Sequence, residues 1–312
     1  MIFFGCGTDY NLCHSAAFYS RALAGDKNFL ALPSSELLLS TETYINRNKR
    51  YIVAGFSRSG ETTESIDVLK KLMDMQNIST FIFSARKNST ITGIAKHSYV
   101  CDKLQEKSIA MTKAYTGFLF AYCLALAKHL ERKDIIGDFK KLVDYFSANT
   151  ERMFSEVENL HWLPEFSRYF VLGSGFNYGI AVEADLKMKE MAATDAYSYH
   201  LHEFIHGPKT LVNSGSLCLM LVSDYLSSSI TEIIEELLDL GSKILAVGYE
   251  NILKIKNPNY YNIKIETDFK TGFAKPFINI PVFQMLAYAR AVKKGLNPDS
   301  PKNLNFTTKL KI

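Results

Sequence analysis

Hydrophobic residues along this chain fall into short, nearly unbroken runs, separated by longer stretches in which they recur every three or four positions. The runs lie at about 2–5, 28–32, 51–56, 78–83 and 97–101, and Tyr51 to Phe56 shows the type, with no charged residue inside it. A strand buried on both faces reads this way, whereas a half-solvated strand alternates. Helical spacing between most of the runs predicts parallel strands joined by crossover helices. From about 110 to 160 the pattern is helical, with a break expected near Gly137, and the join between two domains is placed in this stretch. A second series follows, with strands near 168–172, 216–222 and 242–247 and helices near 177–193, 228–239 and 280–294. The expectation is an α/β chain of two domains, 1–145 and 146–312, each a parallel sheet flanked by helices in three layers.

The two series begin alike. Phe3-Phe4-Gly5-Cys6-Gly7-Thr8-Asp9-Tyr10 is echoed by Val171-Leu172-Gly173-Ser174-Gly175-Phe176-Asn177-Tyr178. Each reads as strand, G-x-G and helix. Neither copy supplies the third glycine or the later acidic residue of a dinucleotide site, so the glycines read as tight turns that bring a strand end and a helix start close to a ligand. Finding the device twice argues for a duplicated fold.

One feature is not duplicated. Ser57-Arg58-Ser59-Gly60-Glu61-Thr62 lies where an apolar run hands over to a helical pattern beginning near Thr63. A helix start offers unpaired N–H groups and the positive end of the macrodipole; Ser57, Ser59 and Thr62 add hydroxyls, and Gly60 lets the backbone close on an anion. The alternative is plain helix capping by Ser59 or Thr62. The corresponding strand of the second half ends in Val222-Ser223-Asp224-Tyr225, which predicts one phosphate site per chain.

Composition adds exclusions. Across 312 residues, 36 basic and 32 acidic residues leave a formal charge of +4 with no massed positive run, which gives no support for a nucleic-acid or membrane-surface partner. The apolar stretch from Phe118 to Ala127 is too short to span a bilayer. No signal-type segment precedes the first strand, and the five cysteines lack a C-x-x-C pair. A cytoplasmic setting with free thiols is expected.

Reactive residues concentrate between Glu183 and Pro208. Lys187 and Glu190 are three apart on one helical face. They form either a solvated charged stripe or, since Met191-Ala192-Ala193 follows, a carboxylate tuned for proton transfer. Downstream, His200, His202, Glu203 and His206 precede Gly207-Pro208. Metal binding by His202, His206 and Glu203 is one alternative, but the spacing is not H-E-x-x-H and the proline stops a helix after His206. A histidine held before a rigid turn suits proton movement near neutral pH.

With these residues assembled, the chain resembles the sugar isomerase (SIS) superfamily, specifically the isomerase portion of glucosamine-6-phosphate synthase and its stand-alone relatives. The resemblance rests on Cys6-Gly7-Thr8, Ser57 to Thr62, Thr112-Lys113-Ala114, Glu183 to Glu190, Glu203 to Pro208, and Asn297 to Leu304. It implies two tandem SIS domains of flavodoxin-like architecture, with Ser57, Arg58, Ser59, Gly60 and Thr62 holding the phosphate of a hexose 6-phosphate or amino-hexose 6-phosphate. Gly7 and Thr8 would line the sugar. Glu190 would shuttle a proton between C1 and C2 with Lys187 in support, and His206, arriving from the neighbouring subunit of a homodimer, would assist ring opening. No metal and no cofactor is implied.

Departures narrow the expectation. No glutaminase domain precedes the first strand, Phe306 stands where the synthase has its imine-forming lysine, and Met111 stands in place of a sugar-contacting serine. The resemblance then implies a deaminase, converting glucosamine 6-phosphate and water to fructose 6-phosphate and ammonia without glutaminase activity. An aldose–ketose phosphosugar isomerase, a 6-phosphofructosyl-amine deglycase and a non-catalytic sugar-phosphate regulator are the alternatives.

Overall fold

A computed structural model describes residues 1–25, 28–160, 166–222, 229–249 and 255–310. The chain divides into two compact units, Met1–Leu126 with Lys302–Ile312, and Ala127–Pro301. The join expected at 145 and 146 falls inside a continuous helix, and the tail expected in the second domain groups with the first unit.

In the first unit the order is β1 (Ile2–Gly5), α1 (Thr8–Ala24), β2 (Leu30–Pro33), α2 (Ser34–Leu39), α3 (Thr41–Tyr44), β3 (Tyr51–Ser57), α4 (Thr63–Leu72), β4 (Ile78–Ser84), α5 (Thr90–Ile94), β5 (His97–Val100) and α6 (Lys113–His129). The second has α7 (Lys133–Glu158), β6 (Arg168–Gly173), α8 (Phe176–Ala192), β7 (Asp195–His200), α9 (Leu201–Ile205), β8 (Ser216–Leu221), α10 (Ser229–Asp239), β9 (Lys243–Tyr249), β10 (Tyr260–Ile265) and α11 (Asn279–Lys293).

Each unit is built on a five-stranded sheet, ordered β2-β1-β3-β4-β5 in one and β10-β9-β8-β6-β7 in the other, with every pairing parallel. Counting strands from the start of each unit, both follow the order 2-1-3-4-5, as a duplicated flavodoxin-like fold requires. The duplication extends to the turns. Gly7 caps α1 at φ 55°, ψ −125°, and Gly175 caps α8 at φ 62°, ψ −127°.

Burial follows the sequence pattern at the sheet centres and departs from it at the edges. β1 and β8 are buried throughout, but β7 buries only Ala196. β7 and β10 are the edge strands of the second sheet, and neither was expected from the sequence. An edge strand lacks a second neighbour and so need not carry an unbroken apolar run, which explains the omission. The core of the first unit shows why α6 packs where it does. Phe3, Phe56 and Phe83 form a stack across β1, β3 and β4, and Tyr122 of α6 sets its ring edge-on to each at 5.2 to 6.2 Å. The buried Tyr122 hydroxyl shares a hydrogen bond of 2.5 Å with Ser20 of α1. In the second unit, buried Asn279 donates to the Asn177 side chain at 2.9 Å, and Asn177 donates to the Leu221 carbonyl at 3.2 Å, tying α11, α8 and β8.

The helical stretch does not break at Gly137. It is interrupted after His129, where Glu131 takes φ 56° and the N–H groups of Glu131 and Arg132 donate back to the carbonyls of Lys128 and Ala127, a Schellman closure without glycine. Gly137 then lies inside α7 with open space where a Cβ would sit. Gly137→Ala is therefore expected to stabilise the protein by about 0.5–1 kcal/mol in urea denaturation. A Cβ on Gly5 would instead meet the backbone of Asp9 at 2.5 Å. Gly5→Ala is expected to cost about 1–3 kcal/mol in the same measurement.

Candidate functional site

In the first sheet β1 and β3 are neighbours, and the chain leaves their carboxyl ends toward opposite sides of the sheet. That divergence is the position at which open parallel sheets bind ligands. Two of the expected segments lie there, Gly5-Cys6-Gly7-Thr8 after β1 and Ser57 to Thr62 after β3, and Cys6 Sγ is 3.7 Å from Ser65 Oγ on α4. Ser65 Oγ also lies 2.9 Å from Ser34 Oγ. Burial pushes the Cys6 thiol up despite the Ser34 and Ser65 hydroxyls, so it is no activated nucleophile.

Within the loop, Gly60 adopts φ 70°, and its N–H donates to Ser57 Oγ at 3.0 Å. The Glu61 N–H donates to Ser59 Oγ at 3.2 Å. A Cβ at position 60 would lie 2.1 Å from Ser89 Oγ, so glycine is required by both dihedral and space. Thr62 occupies the cap position of α4 with extended dihedrals, but its side chain makes no capping hydrogen bond. The capping reading therefore accounts for where Thr62 sits and not for the hydroxyl content of the loop, which remains grouped at a helix N-terminus.

The loop's two charged side chains both turn to neighbouring helix starts. Glu61 accepts from Thr90 N at 3.0 Å and Thr90 Oγ1 at 2.7 Å, and these bonds hold its carboxyl below its ordinary value. Arg58, expected to touch substrate, donates to the carbonyls of Ser108 and Ile109 at 2.9 and 2.8 Å.

The second group lies on α8. Lys187 is fully buried, its Nζ 3.3 Å from Glu183 Oε1 and hydrogen-bonded to Glu190 Oε2. Glu183 is fully buried as well, while the Glu190 side chain is 16% exposed. Positions 183, 187 and 190 share one helical face, and burial decides against the solvated stripe. Burial pulls the Lys187 ammonium down, but the Glu183 and Glu190 carboxylates outweigh it and leave it above its ordinary value. The arrangement fixes one accessible carboxylate against a charged anchor. On another face of α8 Asp185 pairs with Lys189 at 3.1 Å.

His206 follows α9 and is exposed, its N–H bonded to the Glu203 carbonyl at 3.1 Å. The sequence alternative of a metal site disperses. His202 Nε2 contacts Ser229 Oγ at 3.1 Å and His200 stacks on Tyr178 at 3.7 Å; among the described residues no three His, Cys, Asp or Glu form a metal-holding group. The counterpart of the phosphate loop after β8, from Ser223 to Tyr225, lies outside the described residues. All five cysteines are free, and no helix among the described residues is long and apolar enough to cross a membrane.

Residues 165–293 match the SIS domain. The match covers α8 with its charged triad, and His206. Across 98% of its length the chain is 28% identical to a glutamine–fructose-6-phosphate aminotransferase (isomerizing) of Sulfurisphaera tokodaii, aligning with 49% of that protein. A protein of the same name from Caldanaerobacter subterraneus is 27% identical over 96% of this chain and 50% of its own. The chain thus spans about half the length of these curated relatives. A solved glucosamine-6-phosphate deaminase of Thermotoga maritima superposes with TM-score 0.82 at 26% identity, over 99% of this chain and 90% of that one. The tagatose-6-phosphate ketose/aldose isomerase of Escherichia coli shares the fold at TM-score 0.81 and 19% identity, over 97% and 85%.

Two residues of the site were given no role by the sequence reading. Glu183 could have been found, because it stands at i−4 from Lys187. Glu106, which meets Arg58 at 3.5 Å, is far from it in sequence and carries no local signal. The triad on α8 makes a direct prediction. Lys187→Met would strand a buried carboxylate, lowering stability at pH 7 by about 3–5 kcal/mol in urea unfolding. A lysine raised in the folded state stabilises below its unfolded value of about 10.4, and that stability is lost as pH climbs through the raised folded value. The gap between wild type and Lys187→Met is accordingly expected to narrow above about pH 10.4.

Proposed function

We propose that this chain is a phosphosugar isomerase of the deaminating type, taking glucosamine 6-phosphate and water to fructose 6-phosphate and ammonia. The observation that carries the reading is the α8 triad, in which buried Lys187 holds Glu190 and only Glu190 reaches the surface. Aldose–ketose conversion needs one base that removes a proton from C2 and returns it to C1, and a fixed, partly exposed carboxylate does this without a cofactor. On an amino sugar the same transfer leaves an imine at C2, which water hydrolyses to the ketone with loss of ammonia.

The phosphate would be anchored by Ser57, Ser59, Gly60, Thr62 and the backbone of Arg58, with Gly7 and Thr8 beside the sugar. The self-bonded serines of the loop support this, since their hydroxyls can turn from accepting N–H groups to donating to phosphate oxygens. His206, exposed at the end of α9, would assist ring opening in a neighbouring subunit, which makes the working form a homodimer. The similarity to the Thermotoga maritima deaminase supports the choice of reaction, and free cysteines accord with a cytoplasmic setting.

The test follows ammonia and ketose from glucosamine 6-phosphate, alongside ketose from glucose 6-phosphate. Wild type is expected to release ammonia from the amino sugar, and Glu190→Gln to lower kcat by about 10²–10⁴-fold with substrate binding retained. Ketose formation without ammonia would replace deamination by simple isomerisation. Full turnover by Glu190→Gln would remove that residue from the mechanism.

A further inference from the structure

The phosphate loop contains a single basic side chain, Arg58, and the structure withdraws it from the loop's binding face. Its side chain is 8% exposed, its guanidinium donates to two carbonyls, and one face is covered by the Phe306 ring at 4.1 Å. Its third partner is Glu106, 3.5 Å away and equally buried. Glu106 is itself fully engaged. Through Oε2 it accepts from Thr112 N at 3.1 Å, Thr112 Oγ1 at 3.0 Å and Lys113 N at 3.0 Å, and through Oε1 from Ala114 N at 3.2 Å. One carboxylate thus closes the N-terminus of α6 and neutralises the arginine that follows the last residue of β3.

We propose that Glu106 is a positioning residue for the phosphate loop, acting through Arg58. The carboxylate has a defined place because α6 holds it with four hydrogen bonds, and it transmits that place to the loop through a cation with two further carbonyl anchors. Arg58 is then a strut rather than a phosphate ligand. The anion is left to hydroxyls and backbone N–H groups, whose geometry depends on where the strut holds residues 57–62. A guanidinium drawn toward phosphate would loosen its hold on Glu106, Ser108 and Ile109 and weaken the cover of a buried carboxylate at a helix start. The proposal rests on the reading of this loop as the phosphate anchor, and the two can fail separately.

The decisive substitutions are Glu106→Gln and Arg58→Gln, the second leaving the α6 cap intact. Amide hydrogen exchange at Gly60 and Glu61 in the ligand-free protein reads loop position, inorganic phosphate titrated by calorimetry reads the anchor, and KM against kcat reads its effect on turnover. Both variants are expected to speed exchange at the two amides, to weaken phosphate binding and raise KM about tenfold, and to leave kcat within about twofold. The double variant, lacking both buried charges, is expected to recover part of the loss because the two residues act as one unit. Unchanged exchange in Arg58→Gln with weaker phosphate binding would make the guanidinium a direct ligand and overturn the proposal. Phosphate binding that tightens in Glu106→Gln would do so too, since a freed guanidinium would then be gripping the anion. If wild type binds neither phosphate nor a phosphosugar, the anchor reading fails and takes the proposal with it.

Discussion

Both halves of this protein depend on backbone pressed against backbone where the first strand of each unit meets its helix. A Cβ on Gly5 or Gly173 would stand 2.5 Å from the main chain of Asp9 or Asn177, so neither position admits a side chain. The second glycine of each turn then adopts a positive φ, which only glycine takes without strain. This close approach carries the start of α1 or α8 tight against its strand end and leaves the carboxyl edge of the sheet open beside it. On that frame one unit displays hydroxyls and a helix start, and the other carries a charged triad along its helix.

The triad shows how a helix can hold charge in its interior. Lysine 187 and glutamate 183 would each be costly if buried alone, and together they are tolerated because each satisfies the other. The position of Glu190 follows from that arrangement. It is the member of the set whose side chain reaches solvent, so its charge is held by groups that cannot move away. The loop of the first unit uses the opposite arrangement, turning both of its charges toward neighbouring helix starts and leaving neutral donors at its own.

Much of the fold was legible because parallel strands buried on both faces write themselves as unbroken apolar runs. Tyr51 to Phe56 and the matching G-x-G turns sufficed to place the central strands and the duplication. Where the text failed, the cause is specific. Edge strands β7 and β10 have polar residues that a central strand could not tolerate, and Glu131 ends a helix in a conformation usually left to glycine while Gly137 passes through one. In the site, Lys187 and Glu190 were legible from their spacing, but burial was not, since the same spacing serves a solvated stripe. The contact of Arg58 with Glu106 was not legible, because the two are adjacent only after folding.

The return of the tail to the first unit has a consequence for synthesis. Thr63, the first residue of α4, accepts from Leu310 N at 3.0 Å and donates to the Thr308 carbonyl at 3.4 Å, and Phe306 lies over Arg58. The residues that close the first unit are therefore separated from it by the whole of the second. On a ribosome the first sheet is made before the second unit, yet the α4 start and the Arg58 face stay uncovered until residues 306–310 emerge after it. Completion of the loop's surroundings thus waits on residues made after the second unit.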